Sequence, residues 1–97
     1  MRVVAKIGTA SITDDQGAID ITAVAKLSDE VAALRADGHE VIVVSSGAVA
    51  AGVAALGLAA RPTDMQTLQA ISAAGQSRLV EAYNRELARH DLVGAQV

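Results

Sequence analysis

The apolar positions of this chain follow two periods, one typical of strands and one typical of helices. Residues 2–7 (RVVAKI) and 40–45 (EVIVVS) are short runs rich in β-branched side chains, which favour strands of a parallel sheet covered on both faces. Between them, apolar residues recur at intervals of three and four, as on one face of a helix. That face is formed by Val24, Leu27, Val31 and Leu34.

The first predicted helix has clear signals at both ends. Asp20 is a good N-cap, because its carboxylate can accept a hydrogen bond from a free amide of the first turn. Gly38 suits the left-handed conformation that ends many helices. We therefore expect a helix over about residues 21–36. Residues 8–19 are rich in turn-forming Asp and Gly and are expected to form a loop.

The rest of the pattern predicts two more helices and one more strand, at about residues 48–57, 64–89 and 91–97. Thr63 or Asp64 can cap the second of these helices. Gly75 lies inside that helix, where it permits either a kink or the close approach of a neighbouring helix. Of the two, we expect the close approach.

Strands and helices alternate along the chain, which favours an α/β fold. Two strand–helix–strand crossovers predict a mainly parallel sheet with helices on both faces, a three-layer αβα sandwich. The sequence reaches Val97 inside the third predicted strand, and three strands alone would leave an apolar sheet edge. We therefore expect residues 1–97 to be the N-terminal part of a larger domain.

Composition narrows the possible functions. The 97 residues suffice for one small domain, and an aromatic content of 1%, with Tyr83 as the single Phe, Tyr or Trp residue, predicts marginal stability. A net charge of −3 disfavours nucleic acid as a partner, and the lack of Cys excludes disulfides and thiolate metal sites. No signal peptide or membrane-spanning run is visible, so we expect a cytoplasmic protein.

The first strand ends in residues that suggest anion binding. Ligands of open parallel sheets bind at the carboxyl ends of the strands, and neighbouring strands would bring Lys6 and Ser46 to one crevice. Lys6, Gly8 and Thr9 combine a cation, a glycine that lets the backbone approach a ligand, and a hydroxyl donor, as in a phosphate-binding turn. The alternative is that Lys6 only extends into solvent at the end of its strand.

The second junction, Ser45-Ser46-Gly47, joins a strand to a helix. Its hydroxyls can simply cap the helix that begins near Ala48. One cap is sufficient, however, and a helix N-terminus favours anions, so the junction can instead contact a carboxylate or phosphate. Gly47 would then allow a ligand to approach the backbone closely. These residues alone leave both interpretations open.

In order along the chain, four segments resemble the start of the amino acid kinase family, and within it the branch that phosphorylates glutamate. They are VVAKIGTASIT (residues 3–13), AALRADGHEVIVVSSGAVAAGVAALGL (32–58), RPTD (61–64) and AAGQSRLVEAY (73–83). Lys-x-Gly alone is widespread in this family. Lys-x-Gly-Thr followed by Ser-Ser-Gly-Ala-x-Ala-x-Gly is much more specific.

The resemblance implies an enzyme activity, cofactors and site residues. The activity is the ATP-dependent phosphorylation of the L-glutamate side-chain carboxylate to L-glutamyl 5-phosphate, the first step of proline synthesis, with Mg²⁺ as a cofactor. Lys6 would stabilise the transferring phosphoryl group. By resemblance, the residues at the ATP phosphates are Lys6, Gly8 and Thr9, and those at the glutamate are Ser46, Gly47 and Ala48. Family members commonly form homo-oligomers.

Two positions depart from the family pattern: Ala10 replaces a frequent Ser, and Leu68 replaces a common Lys. The family's ATP-binding half, with a second lysine and an organising aspartate, and the PUA domain of many members would follow this segment. We therefore expect the isolated chain to be inactive. Two other hypotheses are another amino acid kinase with a different acceptor and a non-catalytic α/β module that binds a small anion.

Overall fold

The protein has a mixed α/β fold with two parallel strands, described for residues 1–96 by a computed structural model. Its strands and α-helices are, in chain order, β1 (Arg2–Ile7), α1 (Thr9–Ile12), α2 (Ile21–Ala36), β2 (Glu40–Ser45), α3 (Ala48–Ala55) and α4 (Met65–Leu87). A 3₁₀ turn, Ala88–His90, extends the end of α4. The predicted bounds of β1, α2 and β2 are confirmed.

The two strands are neighbours, and their register places Lys6 opposite Val44 and Ile7 opposite Ser45. Exposed and half-buried residues alternate along both strands, because successive side chains point to opposite faces of a sheet. One face packs against the helices through its half-buried side chains. The other face is open and exposes Val4, Ile42 and Val44.

A compact apolar core lies between the sheet and the helices. Its buried members are Ile12, Val24, Ala51, Leu79 and Ala82. Each helix from α1 to α4 contributes at least one of them, so all four share one core on the helix-covered side of the sheet. Residues 1–96 therefore form two layers, and the third layer of the predicted sandwich stays a prediction.

Helices α3 and α4 pack so closely that their backbones touch. A Cβ atom added to Gly75 would overlap the carbonyl oxygen of Ala48 and lie 2.6 Å from the amide nitrogen of Gly52. A Cβ atom added to Gly52 would overlap the carbonyl oxygen of Ile71. The two glycines make this contact possible, and the expectation that Gly75 serves helix packing is confirmed.

The predicted helix signals are also confirmed. The Asp20 carboxylate accepts a hydrogen bond from the Ala23 amide at 3.2 Å, and the Asp64 carboxylate accepts one from the Thr67 amide at 2.9 Å. Of the two candidate caps for α4, Asp64 is the one used. Gly38 follows α2 with φ of +88°, the left-handed conformation that glycine adopts without steric cost.

The loop predicted over residues 8–19 is wrong in part, because helix α1 occupies its beginning. Ile12 is 1% exposed and anchors this turn in the core, while the Thr13 hydroxyl donates to the Thr9 carbonyl at 2.7 Å. A four-residue helix is too short to leave a periodic pattern, and tertiary burial stabilises it. Asp14 does form the expected turn, since its carboxylate accepts from the amides of Gln16 and Ala18.

The third strand predicted over residues 91–97 is wrong for residues 91–96, which form no strand. Two amides of this segment donate to α4 instead of to a neighbouring strand. Leu92 N donates to Leu87 O at 3.1 Å, and Gly94 N donates to Asn84 Oδ1 at 2.6 Å. A cleft of about 900 Å³ lies along β2, lined by α4 and by this segment. Val97 lies outside the described residues.

No helix in residues 1–96 combines the length and the apolar character that a membrane crossing would require.

Candidate active site at the carboxyl ends of the strands

The parallel pairing of β1 and β2 brings the two candidate junctions together. Ile7 and Ser45 are paired at the ends of the strands, so the residues that follow each strand start from adjacent positions. The Ser46 amide also donates to the Ile7 carbonyl, at 3.4 Å. The predicted common edge for the phosphate-type turn and the Ser-Ser-Gly junction is therefore present.

A direct contact joins these two junctions. The Thr9 hydroxyl donates a hydrogen bond to the Ser46 carbonyl at 3.0 Å, and the Thr9 Oγ1 and Ser46 Oγ atoms are 3.4 Å apart. Ser46 is exposed and Thr9 is half-buried, so the pair lies at the surface of the sheet edge. Sequence reasoning placed these residues at one edge but assigned them to different ligands and missed this contact.

The two serines of the junction have different surroundings. Ser45 lies on the helix-covered face, where its Oγ atom is buried and makes no hydrogen bond of good geometry within residues 1–96. Ser46 is exposed beside Thr9. Neither side chain caps α3, since its N-cap is Gly47 and no side-chain cap bond forms, so the capping interpretation is wrong. The hydroxyl of Ser46 is consequently accessible to a ligand.

Tyr83 on α4 faces Ser45 from the helical layer. Burial raises the pKa of the Tyr83 phenol above its ordinary value, and the nearby Ser45 hydroxyl offsets part of that increase. The Tyr83 Oη atom is also buried and makes no hydrogen bond of good geometry within residues 1–96. At the end of β2, therefore, the hydroxyls of Ser45 and Tyr83 are buried on the helix-covered face, whereas the Ser46 side chain is exposed at the edge of the sheet.

Gly47 and Ala48 are held in place by the surrounding helices. Gly47 is buried, and an added Cβ atom would lie 3.0 Å from Ile12 Cδ1 of α1. The Ala48 carbonyl packs against Gly75 of α4. Ile12 was assigned to a loop in the sequence analysis and missed as a support. Its apolar side chain among polar loop residues was the available signal.

Lys6 lies on the open face of the sheet, one residue before the end of β1. Its side chain is exposed, and no ion pair in residues 1–96 involves it. Gly8 follows as the N-cap of α1, with open space around the position of an added Cβ atom. A cation and an accessible backbone thus lie at the same edge as Ser46, without a direct contact between Lys6 and Ser46 in the described part of the chain.

The described residues do not supply a metal site. Within residues 1–96, no three His, Cys, Asp or Glu side chains come together in a group that could hold a metal ion. The ammonium of Lys6, the hydroxyls of Thr9 and Ser46, and the backbone near Gly8 are suited to anions instead. The chemistry of these groups therefore suits a phosphate, a carboxylate or both.

Comparison with known proteins assigns the chain to a family. A model of the amino acid kinase family matches residues 1–97. The chain belongs to the amino acid kinase family, and the prediction from its motifs is confirmed.

Within this family the chain is similar to glutamate 5-kinases. It is 49% identical over 96 residues to the glutamate 5-kinase of Thermobifida fusca (strain YX) and 50% identical over 96 residues to that of Chromohalobacter salexigens. It is 48% identical over 99 residues to that of Bacillus cereus (strain B4264). These matches cover 99% of this chain but only 25–26% of the relatives, so the chain spans about a quarter of their length.

Proposed function

We propose that this chain provides the acceptor-binding side of a kinase that transfers the γ-phosphoryl group of ATP to the side-chain carboxylate of L-glutamate. The observation that carries the proposal is the shared strand edge, where Lys6 and the turn at Gly8 lie beside the Thr9–Ser46 contact. The similarity to glutamate 5-kinases supports the identity of the acceptor. The product is L-glutamyl 5-phosphate.

Each candidate residue has a role that its position supports. Lys6 provides an exposed ammonium that stabilises the charge of the transferring phosphoryl group. The backbone at Gly8 approaches the ATP phosphates. Ser46 contacts the glutamate, and the fixed backbone of Gly47 and Ala48 shapes its pocket.

The chemistry needs charge stabilisation and alignment more than acid–base catalysis. A glutamate carboxylate is already ionised near neutral pH, so it can attack the γ-phosphorus without losing a proton. A carboxylate oxygen forms the new P–O bond, and the bond to the bridging oxygen breaks as ADP leaves. Both reactants are anionic, so positioning and cationic groups lower the barrier. The described site contains Lys6 as such a cation and requires no His or Cys dyad.

The Mg²⁺ that the family resemblance implies does not fit the residues described here. Residues 1–96 hold no cluster of three potential metal ligands, and two of the three carboxylates between β1 and α2, those of Asp14 and Asp20, are engaged with backbone amides. The role derived for this chain is therefore limited to its ammonium, hydroxyl and backbone groups.

The wider architecture is also part of the proposal. Residues 1–97 would form the glutamate-binding side of a three-layer αβα domain. The ATP-binding half, and a PUA domain where one is present, would be supplied by chain beyond this segment. The whole protein would work in the cytoplasm as a homo-oligomer. The coverage of about a quarter of each relative supports this division.

A chimera tests the proposed function directly. The quarter of the Thermobifida fusca glutamate 5-kinase that matches this chain is replaced by residues 1–97, and glutamate-dependent ADP release is measured. We expect activity in the chimera and none in the isolated 97-residue chain. In the chimera, Lys6→Ala should lower kcat by roughly 100-fold or more, as expected when a group that stabilises transition-state charge is removed.

Lys26→Ala is the matched control, because Lys26 is an exposed lysine on α2, away from the strand ends. Normal kinetics in Lys6→Ala would contradict the catalytic role of Lys6. Turnover with another acceptor carboxylate or phosphate monoester in place of glutamate would reassign the substrate. A well-folded chimera without any turnover would favour a non-catalytic anion-binding module.

A further inference from the structure

The Thr9 hydroxyl has a single proton, and that proton is directed at the backbone of the other junction. Thr9 Oγ1 donates to the Ser46 carbonyl at 3.0 Å. A hydroxyl has one hydrogen to donate, so this bond leaves no proton for a phosphate oxygen. Thr9 Oγ1 can still accept, and Ser46 Oγ lies 3.4 Å away in a position to donate to it. In this geometry the Thr9 side chain cannot be a donor to ATP.

We propose that Thr9 is a positioning residue that fixes Ser46 for the acceptor carboxylate. This inference deepens the proposed function and rests on it for the identity of the acceptor. It also moves the Thr9 side chain from the ATP phosphates, where the family resemblance would place it, to the glutamate side of the site.

The contacts of Ser46 explain how Thr9 exerts this effect. The Ser46 amide donates to Ile7 O, and the Ser46 carbonyl accepts from Thr9, so both peptide groups that flank Ser46 are attached to the β1 side. The carbonyl and the following amide of a planar trans peptide point in opposite directions. The Thr9 bond therefore also sets the direction of the Gly47 N–H group. Rotation of that peptide would move both the Ser46 hydroxyl and this amide.

Helix α1 makes Thr9 a rigid support. Thr9 is the first residue of α1, its carbonyl accepts from the Thr13 hydroxyl at 2.7 Å, and Ile12 is buried in the core. Ile12 Cδ1 in turn lies 3.0 Å from the position of a Cβ atom on Gly47. The short helix thus contacts the Ser-Ser-Gly junction twice, through a polar and an apolar group. Because α1 directly follows β1, it couples the turn at Gly8 to the Ser-Ser-Gly junction.

The first part of the test uses the whole 97-residue chain and needs no ligand. NMR chemical shifts of the Ser46 carbonyl carbon and the Gly47 amide nitrogen are compared in wild type, Thr9→Val and Thr9→Ser. Val has nearly the shape of Thr but no hydroxyl, so both signals should shift in Thr9→Val. Thr9→Ser keeps the donor and should restore them. Thr22→Val, an exposed position on α2, is the matched control and should leave them unchanged.

The second part measures kinetics in the active chimera. If Thr9 positions Ser46, Thr9→Val raises the KM for glutamate roughly three- to tenfold, the effect of one lost hydrogen bond, while the KM for ATP changes by less than about twofold. Thr9→Ser should bring the KM for glutamate back toward that of the wild type. A purely structural role would change the stability and kcat without this separation of the two KM values.

The results distinguish this inference from the proposed function. Unshifted Ser46 and Gly47 signals in Thr9→Val overturn the positioning role. An increase in the KM for ATP that equals or exceeds the increase for glutamate also overturns it and returns Thr9 to the phosphate side. If the wild-type chimera is well folded but inactive, the proposed function fails. The NMR comparison in the 97-residue chain then decides whether Thr9 holds the Ser46 peptide.

Discussion

Two regions that border α4 show opposite extremes of packing. Toward α3, the helix touches the neighbouring backbone directly, and a Cβ atom has no space at Gly75. Toward the free edge of β2, the same helix borders a cleft of about 900 Å³. The first contact involves backbone atoms, whereas the second region is lined largely by side chains and by a segment without regular structure.

The difference shows how the two regions resist change. A contact between backbones has no rotamers that could adjust, so an added atom must separate the helices. A cleft lined by side chains can adapt, because residues such as Asn84 and Tyr83 can reorient at modest cost. Substitutions toward α3 should therefore act on the whole fold, and substitutions toward β2 should act locally.

The largest expected effect is on the α3–α4 contact. Gly75→Ala places a Cβ atom against the Ala48 carbonyl oxygen and should destabilise the chain by about 3 kcal/mol or more, at the upper end for overpacking. Urea denaturation followed by circular dichroism measures the change. Gly8→Ala is the matched control, because nothing lies within 4 Å of its added Cβ atom and its φ of −72° suits alanine. Equal stabilities of the two variants would contradict the close contact.

A smaller effect is expected at the segment after α4. Asn84→Ala removes the acceptor that holds the Gly94 amide at 2.6 Å. Hydrogen exchange of that amide should accelerate by roughly two- to tenfold, the range for one net hydrogen bond, while core amides of α4 remain protected. Asn84→Asp keeps an acceptor oxygen at the same place and should retain the slower exchange. Equal acceleration throughout α4 would show that the segment is not attached locally.

The smallest effect is expected at the hydroxyl pair beside the cleft. Burial raises the pKa of Tyr83 above the ordinary value of 10.0, and Ser45→Ala should raise it further by removing the hydroxyl that partly offsets burial. A folded-state pKa that is raised contributes stability below pH 10.0, and this contribution is lost as the pH rises through the folded-state pKa. Tyr83 is the only aromatic residue, so its phenolate absorbance can be titrated without overlap.

Urea-unfolded chain supplies the reference for that titration. Its Tyr83 should titrate near 10.0, and the folded chain should titrate at a higher pH. Coincident curves for folded and unfolded chain would mean that solvent reaches the phenol freely. A lower pKa in Ser45→Ala would reverse the assigned effect of the Ser45 hydroxyl.

The predictability of the fold differs between elements for physical reasons. Helix α2 and strand β2 were predicted with the bounds that the structure has. The signals for α2, an apolar face, an N-cap at Asp20 and a glycine at residue 38, act locally, and β2 is a short run of β-branched residues. Helix α1 was missed, because a helix of four residues is too short to show a periodic pattern of apolar residues. The residues that bury Ile12 are distant from it in sequence. The segment after α4 has strand-forming residues, but a strand also needs a partner edge, which local sequence does not specify.

The site was predicted in outline and missed in detail. The rule that ligands bind at the carboxyl ends of parallel strands brought Lys6 and Ser46 to one edge, and the paired strands have that arrangement. The partner of Thr9 could not be predicted, because it depends on how α1 folds back from β1. A hydroxyl can hydrogen-bond either to the backbone or to a ligand, and only the three-dimensional geometry shows which partner it has.

The alternation of exposed and half-buried positions along β1 has a genetic consequence. Even-numbered residues of this strand face the open side, so Lys6 is available to an anion because its position is even. A deletion or insertion of one codon between Lys6 and α1, which Ile12 anchors in the core, would shift the strand by one residue and direct the ammonium into the apolar layer. A change of two codons would keep Lys6 on the open face. Short in-frame length variants at this point should therefore lose and regain the exposure of the Lys6 side chain with a period of two.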